Sequence, residues 1–129
     1  MSAQTTGKKI LLAEDDRSLA RMYTAKLEKS GYTVDLVSGG RDCLEHVLTF
    51  NPDVILLDII IPQLDGFCVL QHLKEDPRTK DIVVILLTNL GQDEDIEKGK
   101  TLGAHDYLVK SQFTPAEIVE RMEAALTTH

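Results

Sequence analysis

Asp58 is an acid set in apolar sequence, with Leu56 and Leu57 before it and Ile59, Ile60 and Ile61 after it, ahead of the turn Pro62-Gln63-Leu64-Asp65-Gly66. Burying a carboxylate without compensation costs several kcal/mol, so an aspartate in this setting needs a partner or a task. Glu14, Asp15 and Asp16 close another apolar run, Ile10 to Ala13. If Glu14 and Asp15 lie beside Asp58, each like-charge pair at about 4 Å repels by roughly 4 kcal/mol at an effective dielectric of 20. A cation among them removes that cost. Carboxylates without histidine or cysteine favour a hard ion, and a site with few protein oxygens and room for water suits Mg²⁺ better than Ca²⁺. Thr88 and Lys110 follow two further apolar runs and add a hydroxyl and an ammonium. Aspartate and threonine are also ordinary helix caps and loop residues, so the weight rests on the joint pattern rather than on any one position.

Five apolar runs must position these residues: Ile10 to Ala13, Tyr32 to Val37, Val54 to Leu57, Ile82 to Leu87 and Tyr107 to Val109. Three are nearly continuous Val, Ile and Leu, which suits strands of a parallel sheet covered on both faces. Helical patterns lie between them. Leu19, Met22, Tyr23 and Leu27 form one stripe ending at Gly31, a residue suited to a left-handed C-terminal cap. Cys43, Leu44, Val47 and Leu48 form a second before Pro52, and Phe67, Leu70 and Leu73 a third before Pro77. The fourth helix, about Asp93 to Leu102, has only Ile96 and Leu102 as sizeable apolar residues and Gly99 in its middle, so it is expected to pack loosely. Its acids Asp93, Glu94 and Asp95 suit the N-terminal end of the helix dipole. In the fifth, Thr114, Pro115 and Glu117 combine an N-cap, a first-turn proline and a capping-box acid. Strand and helix alternating five times implies right-handed crossovers, and ligands then bind at the carboxyl ends of the strands, where Glu14, Asp15, Asp58, Thr88 and Lys110 all fall.

The 129 residues are enough for one domain, with 43% hydrophobic and 27% charged residues in the balance of a globular protein. No apolar run approaches the roughly 18 residues of a membrane helix, and the start, Met1 to Gly7, lacks a signal-peptide stretch, which predicts a cytoplasmic location. The net charge of -7 argues against nucleic acid as a direct partner. Cys43 and Cys68 are read as small core residues, and His46, His72, His105 and His129 form no ligand set.

Glu14-Asp15, Asp58, Thr88 and Lys110, with Tyr107 three places before the lysine, resemble the signature of response-regulator receiver domains, and Asp58 to Gly66 is similar to that family's aspartate-to-DG turn. The likeness covers about Lys8 to Leu126 within a single receiver domain spanning 1–129. It implies a flavodoxin-like (βα)5 fold with a doubly wound parallel sheet in strand order 2-1-3-4-5. It also implies roles. Asp58 accepts a phosphoryl group from a phosphohistidine of a histidine kinase or phosphotransfer protein, forming an acyl phosphate. Asp15 contacts Mg²⁺ directly, Glu14 acts through water, and Asp58 and the Ile60 backbone carbonyl complete the protein ligands. Lys110 pairs with Asp58 at rest and neutralises charge during transfer. Thr88 then bonds the phosphoryl group, Tyr107 turns inward, and the face made of the fourth helix, fifth strand and fifth helix docks a downstream target protein. Asp16 belongs to the start of the first helix.

Some positions depart from the family's habit. Asn89 stands where a small residue is common, which narrows the approach of a donor histidine. Ser111 follows Lys110 where proline, and with it a cis peptide, is frequent. Ile60 and Leu90 flank the pocket and are apolar, unable to orient a water, so a long-lived phosphoryl-Asp58 is expected.

Other readings fit less well. A flavodoxin-like electron carrier needs a phosphate-cradling loop after the first strand, where Glu14-Asp15-Asp16 repels anions, and no Gly-x-Gly-x-x-Gly supports a dinucleotide. An aspartate-nucleophile phosphatase wants a second acid where Ile60 stands. No enzyme acting on small molecules is therefore expected, only self-catalysed phosphorylation and slow dephosphorylation. The chief rival is a phosphorylation-independent protein-binding module on the same fold. With no output domain after the fifth helix, the sequence reads as a diffusible regulator or phosphorelay intermediate.

Overall fold

The computed structural model describes residues 7–128, so the polar segment before Gly7 and His129 lie outside them. Five strands, β1 (Lys9–Ala13), β2 (Thr33–Val37), β3 (Val54–Leu57), β4 (Val83–Thr88) and β5 (Asp106–Val109), alternate with five helices, α1 (Arg17–Lys29), α2 (Gly40–Phe50), α3 (Gly66–Glu75), α4 (Asp93–Thr101) and α5 (Pro115–Thr128). The sheet is parallel in the order β2-β1-β3-β4-β5, as the sequence implied.

The continuous apolar strands are explained by two cores, one on each face. Successive strand residues point to opposite faces, so Leu11, Ala13, Ile55, Leu57, Val84 and Leu86 join one cluster with residues of α2 and α3. Ile10, Leu12, Val54, Leu56, Ile85 and Leu87 join the other, with residues of α1 and α5. β2, at the sheet edge, is half exposed.

The helix boundaries follow local chemistry. Asp16 caps α1 by accepting from Leu19 N at 3.1 Å, and Gly31 follows that helix at φ 98°. Asn51, in the left-handed region at φ 53°, ends α2. Thr114 and Glu117 form the expected capping box, each side chain accepting from the other's backbone N–H at 3.2 and 2.8 Å. Two stripe residues depart from expectation: Met22 and Leu48 are exposed, because α1 turns Ala20, Tyr23 and Leu27 inward and α2 turns Cys43 and Val47 inward. Cys68 also departs, being half-buried with its sulfur 3.5 Å from an Asp65 carboxylate oxygen, while Cys43 is in the core. No described helix is long and apolar enough to cross a membrane.

Candidate functional site

Register places the acids. Ala13 of β1 pairs with Leu57 of β3, so the next residues, Glu14 and Asp58, leave adjacent strands side by side, about 4.8 Å apart in the pairing direction. The Asp58 N–H donates to the Ala13 carbonyl at 3.1 Å and the Glu14 N–H to the Val37 carbonyl at 3.0 Å, so both chain exits are fixed. Thr88 ends β4 and pairs with Val109. Lys110 comes next, opening a short 3-10 turn (Lys110–Gln112), and its long stem reaches across the end of β4 toward Asp58.

The turn after Asp58 is locked from below. The Gly66 N–H donates to the Ile59 carbonyl at 2.8 Å, and Asp65 caps α3 by accepting from Cys68 N at 3.0 Å. A Cβ on Gly66 would stand 2.4 Å from the Asp58 carbonyl oxygen and 2.7 Å from Ile59 Cα. Only glycine lets α3 begin this close to the backbone of Asp58.

Three of the four buried polar or charged residues among those described, Glu14, Asp58 and Thr88, lie at these strand ends. Lys110 Nζ stands 2.6 Å from Asp58 Oδ2 and 2.6 Å from Glu14 Oε1. The first contact is an aligned hydrogen bond. The second is a charge contact without that alignment, and it leaves Oε1 with no hydrogen-bond donor. Glu14 Oε2 accepts from Asp16 N at 3.1 Å, and Asp58 Oδ1 accepts from Ile60 N at 3.3 Å. Burial pushes the Glu14 carboxyl above its ordinary value, with the charge of Asp58 adding to the effect and Lys110 opposing it. For Lys110, burial alone favours the neutral amine, but Asp58 and Glu14 together outweigh it and hold the ammonium above its ordinary value.

Glu14, Asp15 and Asp58 each offer an oxygen within 4.8 Å of the others, the only such metal-suited group among the described residues. Asp15 is exposed, Glu14 and Asp58 buried, so the group opens to solvent on one side. These acids, with Asp16, Leu19, Ile60, Thr88, Asn89, Leu90 and Lys110, line an open cleft. An all-oxygen donor set of like charges, one of them a buried oxygen without a donor, fits a hard divalent cation.

Thr88 and Tyr107, the residues expected to switch, are also together, both bonded to Leu90. Thr88 is fully buried, and its hydroxyl accepts from Leu90 N at 3.4 Å. The Tyr107 ring is already turned inward, with its hydroxyl donating to the Leu90 carbonyl at 2.5 Å. Burial pushes its phenol up to about 12. Ile60 is 62% exposed at the rim. The Lys110–Ser111 peptide is trans, like every described peptide bond.

The profile of the response regulator receiver domain family matches residues 10–123. The chain belongs to that family. It is 39% identical over 118 residues to the DNA-binding dual master transcriptional regulator RpaA of a Synechocystis strain, an alignment covering 92% of this chain and 48% of that protein. The chain thus spans about half the length of the curated relatives it matches. Among solved structures, the receiver domain of the Francisella response regulator 1452 superposes with a TM-score of 0.86 at 30% identity, covering 95% of this chain and 98% of that one. The chemotaxis response regulator CheY4 of Vibrio cholerae does so with a TM-score of 0.86 at 28% identity, covering 93% and 99%.

Sequence reasoning singled out Glu14, Asp15, Asp58, Ile60, Thr88 and Lys110, which line one cleft, and Tyr107, which bonds its Leu90, but it missed two relations. It paired Lys110 with Asp58 alone, although Glu14 shares the ammonium. It read Gly99 only as a weak point of α4, whereas that glycine is the buried residue of the helix and touches Tyr107.

Proposed function

We propose that this receiver domain accepts a phosphoryl group on Asp58 from a phosphohistidine donor in an Mg²⁺-dependent reaction, and that the modification switches a protein-docking face. The observation that carries the reading is the Lys110 ammonium, 2.6 Å from both Asp58 and Glu14, beside an acid cluster that opens to solvent at Asp15.

Asp15, Glu14, Asp58 and the Ile60 carbonyl would hold the metal, which when bound neutralises the anionic oxygens of the transferred group. The chain's own residues supply the rest. Asp58 Oδ1 or Oδ2 attacks phosphorus, the bond from phosphorus to the donor imidazole nitrogen breaks, and the electron pair leaves with the imidazole. Lys110 is fully protonated at neutral pH and holds its charge beside the nucleophile. Thr88, whose hydroxyl oxygen accepts only a weak 3.4 Å bond from Leu90 N, donates its hydrogen to a phosphoryl oxygen, and the loop from Asn89 follows. Tyr107 is tied to the Leu90 carbonyl in that loop, so the loop's movement carries to the face of α4, β5 and α5. The domain catalyses only its own modification, and its partners are a histidine kinase or phosphotransfer protein and a downstream target protein.

Incubating the protein with Mg²⁺ and acetyl phosphate adds one phosphoryl group by intact mass, and Asp58→Asn abolishes it. Absence of the adduct under conditions that label a control receiver overturns the proposal and leaves a phosphorylation-independent binding module.

A further inference from the structure

Gly99 is the one buried residue of α4, and it faces the ring on which the switch depends. A Cβ built there would stand 2.6 Å from Leu86 Cδ1, 2.9 Å from Tyr107 Cδ2 and 3.3 Å from Tyr107 Cε2. Carbon atoms in favourable contact sit about 3.5–4.0 Å apart, so any side chain at position 99 forces a neighbour to move. Leu86 has nowhere to go: it is fully buried in β4, with Leu57 on one side and Tyr107 on the other. Tyr107 lies on the outermost strand, and its hydroxyl is anchored only to the Leu90 carbonyl in the loop before α4. The ring is therefore the group that yields.

We infer that Gly99 is the positioning residue for Tyr107: its bare Cα is the seat that admits the aromatic ring to the inward position, and occupying that seat drives the ring toward solvent. The inference rests on the proposed role of Tyr107 in the switch. It also explains why α4 carries a glycine at mid-helix despite having little else to hold it. The N-cap residue Gln92 makes no side-chain cap bond, and Ile96 and Leu102 are only partly buried. Glycine there lowers helix propensity relative to alanine, a cost the ring's burial offsets.

Fluorine NMR of protein labelled with 3-fluorotyrosine tests this, because the chain has three tyrosines and Tyr107→Phe assigns the relevant signal. In Gly99→Ala the Tyr107 resonance moves toward the value of an exposed fluorotyrosine while those of Tyr23 and Tyr32 stay in place. Thermal unfolding supplies a second readout. In a Tyr107→Ala background, where the ring is gone and Leu86 can turn its Cδ1 into the freed space, Gly99→Ala raises the midpoint by about 3 °C, the usual gain of a helical Gly-to-Ala change. In the native background it does not raise it. An unmoved Tyr107 resonance, or an equal gain in both backgrounds, overturns the inference. If Gly99→Ala alone fails to fold while the double variant folds, the seat is supported; if both fail, Gly99 answers to something other than the ring and the inference is wrong. Acetyl phosphate labelling of the same samples keeps the readings apart, since loss of the adduct in wild type removes the phosphoryl-acceptor proposal without touching the fluorine result.

Discussion

Lys110 is the counter-ion of a pocket that holds two buried acids, and its removal has a calculable cost. Breaking a buried ion pair by deleting one partner costs about 3–5 kcal/mol because the other charge is left unpaired. Lys110→Met therefore lowers metal-free stability by roughly that amount in urea unfolding at neutral pH, and added Mg²⁺ stabilises this variant more than it stabilises wild type. Equal Mg²⁺ effects on both would mean that the ammonium and the ion do not answer the same charges. The apolar rim leads to a kinetic prediction. Ile60, 62% exposed, and Leu90 offer no group to orient a hydrolytic water, so phosphoryl-Asp58 outlasts many minutes after donor removal. A polar side chain in Ile60→Asn shortens that lifetime by about tenfold or more, followed by intact mass. Loss of the phosphoryl group from wild type within minutes, without a phosphatase, is the outcome that sinks this expectation. These residues were legible because an acid embedded in isoleucine and leucine is costly unless it is used. Which acid turns inward was not, since Glu14 and Asp15 are neighbours and only the β1–β3 register places Glu14 against Lys110.

At the level of elements, the tightest joint is between β3 and α3. In Gly66→Ala the new Cβ meets backbone atoms, the Asp58 carbonyl and Ile59 Cα, which cannot swing aside. Overpacking of this kind costs about 1–3 kcal/mol. The variant should lose that much stability in urea and label more slowly with acetyl phosphate. A second element, the β2 edge, carries a titrating contact: His46 Nδ1 of α2 lies 2.7 Å from Asp35 Oδ2. The hydrogen bond to Asp35 raises the imidazole pKa above 6.5, with burial opposing it and the charges of Asp35, Asp42 and Glu45 adding to it. A raised folded-state pKa contributes stability that is complete below the unfolded value and lost as pH rises through the folded one. Wild type thus loses a small increment of stability as pH rises above the ordinary imidazole value of 6.5, whereas His46→Gln shows a flatter profile in matched unfolding curves. Much of this level was readable in advance: strand order followed from the family likeness, both-faced burial from unbroken apolar runs, and the start of α5 from Thr114, Pro115 and Glu117. Tertiary packing decided the rest. Met22 and Leu48 look like stripe residues until the neighbouring helices leave them uncovered, and Gly99 looks like a flaw until a ring is found against it.

For the molecule as a whole, a net charge of -7 sets what it can approach. Basic faces bind phosphate backbones by displacing the counter-ions condensed on them, most strongly at low salt. At about 50 mM salt this chain leaves a DNA duplex unshifted in an electrophoretic assay, even though it is similar to half of a protein named as DNA-binding; a shift would place a nucleic-acid surface on the receiver itself. The construction around Asp58 is also mechanically lopsided. On one flank the backbone is clamped to α3 through Gly66 and the Asp65 cap. On the other, a 3.4 Å contact at Thr88, the Tyr107 hydrogen bond to the Leu90 carbonyl and a helix, α4, with a single buried residue oppose displacement. A load applied at Asp58 meets a stiff support and a soft spring, and deformation goes into the spring. The protein needs no dedicated wire to choose a direction for its signal, because its compliance is one-sided.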